Sequence, residues 1–191
     1  ISKSNYEYFN NNIIKIKKII WKLKKIEIYS DNLVNEKILN FENNKNQLFS
    51  IIKNNKIHGI LNKNLSNNKF FKKIHFDKNY IKSDKYNLVI NTDYRSNFTK
   101  KYFSKKIEKT YNSSAYTTVI NHEKISNQIA VQIFTKIGPL AFLPLSKNKT
   151  SIVYSIYNSK DVDRKKIIHL INQHNIKYKI KKIGKIENFE L

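Results

Sequence analysis

The chain of 191 residues contains no cysteine, no methionine, three glycines, two prolines and one tryptophan. Without cysteine it has no disulfide, no thiol nucleophile and no cysteine-ligated zinc or iron–sulfur centre. With glycine only at Gly59, Gly138 and Gly184, it can assemble neither the GxGxxG turn of a dinucleotide-binding unit nor a phosphate-cradling P-loop. No apolar run approaches the roughly 20 residues of a membrane-spanning helix, and Ile1–Asn12 is too polar to be the core of a signal peptide. The histidines, His58, His75, His122, His169 and His174, form neither HExxH nor an i, i+4 pair, so no metal site is expected. No catalytic residue is assigned either: the paired acids Asp161/Asp163 and Glu187/Glu190 read as helix-end and surface charges. With no methionine, a start at Ile1 inside an element and a stop at Leu191 just after a strand-like run, the chain reads as an internal fragment of a longer protein.

Negative charge is also scarce. Thirty-seven Lys and Arg face 14 Asp and Glu, a net charge of +23. Such a balance raises the alternative of a basic nucleic-acid-binding module. However, the lysines are spread along the whole length, and Lys, Asn and Ile dominate as they would under an AT-rich codon bias. The preferred reading is therefore a solvated basic surface with no nucleic-acid partner. An apolar share of 40% and an aromatic share of 13% are enough for a globular core and argue against disorder. A cytoplasmic setting fits the lack of cysteine.

Ser2 or Ser4 is placed to cap a helix running to about Asn12. Ile13, Ile16, Ile20 and Leu23 recur at helical spacing between lysines, which predicts a basic amphipathic helix over Ile13–Lys25. Docking of this helix on an inner membrane is the sharper alternative and packing against the core, with Trp21 as an anchor, the plainer one. Alternation predicts strands around Ile26–Ile28 and Ile38–Phe41 joined by the turn Ser30–Asn35, then strands at Gln47–Ile52, Phe70–Phe76 and Tyr86–Asn91. Helices are predicted over Asn54–Ser66, Ser96–Ser104 and Asp161–Asn175, and a polar loop over Asp77–Lys85. Tyr116–His122, Ile129–Thr135, Leu140–Leu145 and Ser151–Ile156 read as strands, the last three as a consecutive antiparallel set, and Ile176–Ile186 as a final strand region. Asp93, directly after an apolar strand, is either a turn or cap aspartate or a group that meets a ribose or phosphate at a sheet end.

The segment Ala130–Ser155, AVQIFTKIGPLAFLPLSKNKTSIVYS, contains both prolines. It resembles the FAD-dependent aromatic hydroxylases of ubiquinone biosynthesis, the UbiH/UbiF/VisC type, which carry A-x-Q-x-F, then GPLAxLPL, then SxVWS. Here these elements are Ala130, Gln132 and Phe134, then Gly138–Leu145, then Ser151–Ser155, with Tyr154 where the family has tryptophan. The flanks agree in order: Trp21 with Ile26 and Ile28, NLVINTDYRSN at Asn87–Asn97 for the family's LLIGADGxxS, YTTVINHE at Tyr116–Glu123, and IENFEL at Ile186–Leu191.

The resemblance implies a mixed α/β chain: a substrate-covering mixed or antiparallel sheet domain with part of an interrupted Rossmann-like FAD domain. It places residues 1–22 in a helical part of the interrupted FAD domain, 23–76 in the first part of the substrate domain or its connection, 77–110 in a returning FAD-domain strand and helix, and 111–191 in the substrate-domain sheet with one helix. It implies FAD as cofactor, NAD(P)H as co-substrate and a prenylated phenol or quinone precursor as substrate. Asp93 matches the family's cofactor-side aspartate. Phe134, Gly138, Pro139, Leu140 and Phe142 are candidates to line the substrate pocket, with plain sheet core as the equal alternative. Asn91 and Tyr94 stand where the family has glycines. A degenerate, non-catalytic relative is therefore a further alternative, and the isolated chain is expected neither to hold FAD tightly nor to turn over.

Overall fold

The computed structural model describes residues 1–31, 36–42, 47–74, 86–93, 95–102, 107, 109, 111–157 and 162–191. They fall into two compact units, one of residues 1–62 with 111–191 and one of residues 63–110. In chain order the helices are α1 (Lys3–Tyr8), α2 (Asn54–Ser66), α3 (Asn97–Tyr102) and α4 (Arg164–Gln173). The strands are β1 (Ile20–Leu23), β2 (Lys25–Ser30), β3 (Glu36–Glu42), β4 (Phe49–Ile52), β5 (Ser113–His122), β6 (Ile129–Thr135), β7 (Gly138–Ser146), β8 (Lys149–Tyr157), β9 (Ile180–Ile183) and β10 (Glu187–Glu190). The fold is mixed α/β.

The first unit is organised by one sheet of order β10-β5-β8-β7-β6-β2-β3, with β9 also on β5 and a separate antiparallel pair β1-β4. Every pairing in the large sheet is antiparallel except β2 with β6. Tight hairpins explain the central run β6-β7-β8. After Lys136 and Ile137 the chain reverses at Gly138, whose φ is +140°; an L side chain rarely adopts that conformation. A Cβ at Gly138 would lie 1.9 Å from the Ser155 carbonyl oxygen. Both prolines sit where the ladder tolerates them: Pro139 precedes the β7–β8 pairing, which starts at Leu140, and Pro144 adjoins the register shift between Pro144 and Ser146. Gly184 breaks the last strand region into β9 and β10, and its N–H donates to the Val119 carbonyl at 2.9 Å.

α4 covers one side of this sheet. Ile167 and Ile171 are buried in one cluster with Tyr116, Ile120, Ile133, Leu140, Phe142, Ile152 and Tyr154. Asp163 precedes its first turn, as the sequence indicates, but its side chain makes no capping bond; Asp161 lies outside the described residues. The predicted helices over Asn54–Ser66 and Ser96–Ser104 appear as α2 and α3, and Ser2 caps α1 by accepting from the Asn5 N–H at 3.2 Å.

The Ile13–Lys25 segment is not an amphipathic helix. A π-helical turn at Phe9–Ile13 and a 3-10 turn at Lys17–Ile19 lead directly into β1. Its isoleucines are β-branched and weak helix formers, and β1 finds a partner in β4, pairing Trp21 with Ile51 and Leu23 with Phe49. Trp21 is a packing anchor: its indole N–H donates to the Asn127 carbonyl at 2.6 Å. The amphipathic-helix argument for a membrane contact therefore falls away, and no helix among the described residues is long and apolar enough to cross a membrane.

In the second unit, two predicted strands do not form. Residues 70–74 and 86–91 carry no regular structure, and Leu88 and Ile90 are 76% and 78% exposed where a buried strand was expected. An apolar run reads as a strand only if another strand pairs with it, and no strand of this unit does so among the described residues. The loop Asp77–Lys85, His75 and Tyr94 lie outside the described residues.

Candidate functional site: the open face of the sheet

Successive side chains of a strand point to opposite faces, and the pairing register therefore sorts the sheet into two sets. One row of facing residues runs Tyr29, Ile133, Leu140, Tyr154, Tyr116. This is the sealed face under α4, where Ile133, Leu140 and Tyr154 are all 0% exposed. The alternate row runs Leu39, Ile28, Gln132, Ala141, Val153, Thr117, Glu187 across seven strands. Its members from Ile28 to Thr117 are only partly buried, and none of them carries a charge. Beside it, Ser30 faces Phe134, and Phe134 faces Pro139.

The candidate lining residues divide between these faces. Phe134 is 46% exposed and lies with Pro139 on the open side. Leu140 and Phe142 belong to the sealed core, at 0% and 2% exposure, and Gly138 is buried at the hairpin. The open face therefore consists of Phe134 and Pro139 together with Ile28, Gln132, Ala141 and Val153, residues that the apolar run at 138–145 did not single out. Its chemistry is limited: apolar surface with the Gln132 amide and the Thr117 hydroxyl as hydrogen-bonding groups, the Ser30 hydroxyl beside it being buried. Such a wall can hold and orient a planar apolar molecule, but it offers neither a nucleophile nor an acid–base pair.

A buried polar cluster closes one end of the sealed side. Asn127, 1% exposed, donates to the Ser146 carbonyl at 2.8 Å and to the Thr150 hydroxyl at 3.0 Å, and accepts from the Tyr178 hydroxyl at 3.1 Å. His122 lies within 3.0 Å of the Thr150 hydroxyl and 2.7 Å of the Glu123 carbonyl, with the Tyr178 ring 4.5 Å from its own. With its groups satisfied internally and shut off from solvent, the cluster reads as a structural lock. Tyr154, in the place of the family tryptophan, pairs its hydroxyl with Thr135 at 2.9 Å, and burial raises its pKa.

Near the β2 end, Glu27 takes Lys37 at 2.7 Å, Lys25 at 3.0 Å and the Tyr29 hydroxyl at 3.0 Å. Burial pushes the carboxyl up, but the hydrogen bonds from Lys37, Lys25 and Tyr29 outweigh it and hold the group at about 2. Among the described residues no group of His, Asp and Glu is arranged to hold a metal.

Asp93 belongs to the second unit and is exposed. Its carboxylate accepts from the Arg95 N–H at 3.0 Å, and its carbonyl accepts from the Thr99 and Ser96 hydroxyls at 2.6 and 2.9 Å. Ser96 in turn caps α3 through the Thr99 N–H at 3.2 Å. This is an Asx turn feeding a capped helix. It is the turn geometry open to an aspartate at this position. Compared with models of known families and with curated proteins, the chain matches none of them.

Proposed function

We propose that this chain carries the substrate-covering sheet of an FAD-dependent monooxygenase that hydroxylates an aromatic ring of a ubiquinone precursor, with NAD(P)H and oxygen as co-substrates. One observation supports this above the others. The segment with the hydroxylase pattern, Ala130–Ser155, forms the three adjacent central strands β6, β7 and β8, sealed on one side and apolar but open on the other.

In this reading the open face walls the reaction space. Phe134, Pro139 and Ala141 exclude water from the ring, Ile28 and Val153 extend the apolar wall, and the Gln132 amide orients a ring oxygen by one hydrogen bond. Bound FAD would supply the oxygen-activating chemistry. The described residues fit only part of that cofactor: the apolar wall suits a planar ring, but no glycine-rich turn is present to receive a dinucleotide phosphate. The 191-residue chain alone should therefore purify colourless.

The test is to produce the complete reading frame that encodes this chain and to measure its flavin content and NAD(P)H oxidation. The proposal expects stoichiometric FAD and NAD(P)H consumption stimulated by a prenylated phenol. A folded product without flavin, and with no such stimulation, would overturn it.

A further inference from the structure

Away from the open face, α1, β1 and the segments leading into β4 and β6 border a solvent-open cavity of about 290 Å³, lined by Lys3, Tyr6, Glu7, Lys22, Lys24, Gln47 and Gln128. Three ammonium groups stand against one carboxylate, a surplus of two positive charges. Glu7 is 3.9 Å from Lys3, an i, i+4 pair with both partners about half exposed. Lys22 and Lys24 have no ion-pair partner among the described residues. The rest of the lining consists of neutral hydrogen-bonding groups, the Tyr6 hydroxyl and the amides of Gln47 and Gln128.

The backbone holds these residues in place. Lys22 in β1 and Lys24 at the bend that follows it flank Leu23, which is 2% exposed, and both lysines are exposed and line the cavity. The Lys24 N–H donates to the Gln128 carbonyl at 2.9 Å, and the Leu48 N–H, next to Gln47, donates to the Leu23 carbonyl at 2.9 Å. Ser50 anchors the start of α1, its N–H donating to the Ile1 carbonyl at 2.9 Å. Like charges gathered on a rigid frame repel one another unless an anion joins them. A dianionic phosphate brings a charge of about −1.5 to −2 and three acceptor oxygens.

We propose that this cavity binds a phosphate dianion, carried by a phosphorylated small molecule or by a lipid headgroup, with Lys22 and Lys24 as its principal ligands and the two glutamine amides and Tyr6 as neutral donors. The inference is independent of the hydroxylase reading, because none of these residues lies on the open face.

The test titrates the purified chain with inorganic pyrophosphate by calorimetry and compares the wild type with two exposed double variants, Lys22→Gln/Lys24→Gln and, away from the cavity, Lys181→Gln/Lys182→Gln. Saturable binding that weakens about tenfold or more in the cavity variant, as loss of charge-assisted hydrogen bonds requires, and stays within about twofold in the control supports the site. Vesicles of phosphatidylcholine with phosphatidic acid identify the source. Retention lost in the cavity variant assigns the phosphate to a headgroup, and pyrophosphate binding without retention assigns it to a soluble ligand. No saturable binding of pyrophosphate or vesicles, or equal weakening in both variants, would overturn the proposal and leave only the polycation behaviour of a +23 chain.

Discussion

The two faces of the central sheet use the same strands and much the same apolar residue types, yet they are in opposite states. On one side Ile133, Leu140, Ile152 and Tyr154 are closed under Ile167 and Ile171 of α4. On the other, Phe134, Ala141 and Val153 remain partly or largely exposed. Apolar composition therefore does not distinguish core from site in this fold. The phase of each strand decides it, and that phase is fixed by the hairpin at Gly138 and the helix that lies over one side.

The hairpin is the place to break the comparison outright. Gly138→Ala would set a methyl 1.9 Å from the Ser155 carbonyl and force an L residue to a φ of +140°. It should cost about 3 kcal/mol or more, read as a fall in the urea midpoint, and a near-neutral result would show that β7 and β8 can separate there. Next in size is the contrast between faces. Leu140→Ala, from a site with 0% exposure, should cost about 2–5 kcal/mol. Phe134→Ala, from a side chain 46% exposed, should cost about 1 kcal/mol or less. Equal losses in chemical denaturation would erase the distinction between the faces.

The polar end of the sealed side should respond through unsatisfied groups. Asn127→Ala takes a partner from the Tyr178 hydroxyl and the Ser146 carbonyl and leaves the Thr150 hydroxyl with His122, and about 2 kcal/mol of stability should be lost. Conversely, the Thr118 hydroxyl is buried with no hydrogen-bond partner among the described residues. Thr118→Val should leave stability unchanged or raise it by up to about 1 kcal/mol, and a loss beyond 1 kcal/mol in thermal unfolding would reveal a missing partner. The smallest effect marks the rim. Glu27 is held at about 2 in the folded chain, below its unfolded value of roughly 4.3. Its contribution is therefore complete above that unfolded value and disappears as pH falls towards 2. Because Lys37 and its neighbours are partly exposed, about 1 kcal/mol is expected. Glu27→Gln should flatten the stability profile between those pH values, and an unchanged slope would assign it to other groups.

The strands of the large sheet were readable because their alternation or their turns are strong. Ile129–Thr135 is bounded as predicted, and the turns at Gly138 and Asn148 follow from glycine and from short polar sequence. The phase of β7 was not readable. In Pro139-Leu140-Ala141-Phe142-Leu143-Pro144-Leu145 both alternating sets are apolar, and a continuous apolar run carries no record of which set faces the helix. In sequence, Leu140 and Phe142 are therefore as eligible for the site as Phe134 and Pro139, and nothing distinguishes Ala141 or Val153 from the core. The Ile13–Lys25 segment shows the converse difficulty, since spacings of three and four residues suit a helix while strand pairing with β4 decides the outcome. Asn127 gave no signal, because its importance lies in contacts 19 to 51 residues distant in sequence.

That the open face is the side that meets a ligand is tested most directly by a methyl-resolved NMR titration of the chain with a soluble prenylated phenol. Shifts confined to Ile28, Ala141 and Val153, together with the Phe134 ring, are predicted, with Leu140 and Ile152 unmoved. Shifts centred on the sealed-face methyls, or no saturable shift on the open face at all, would contradict it.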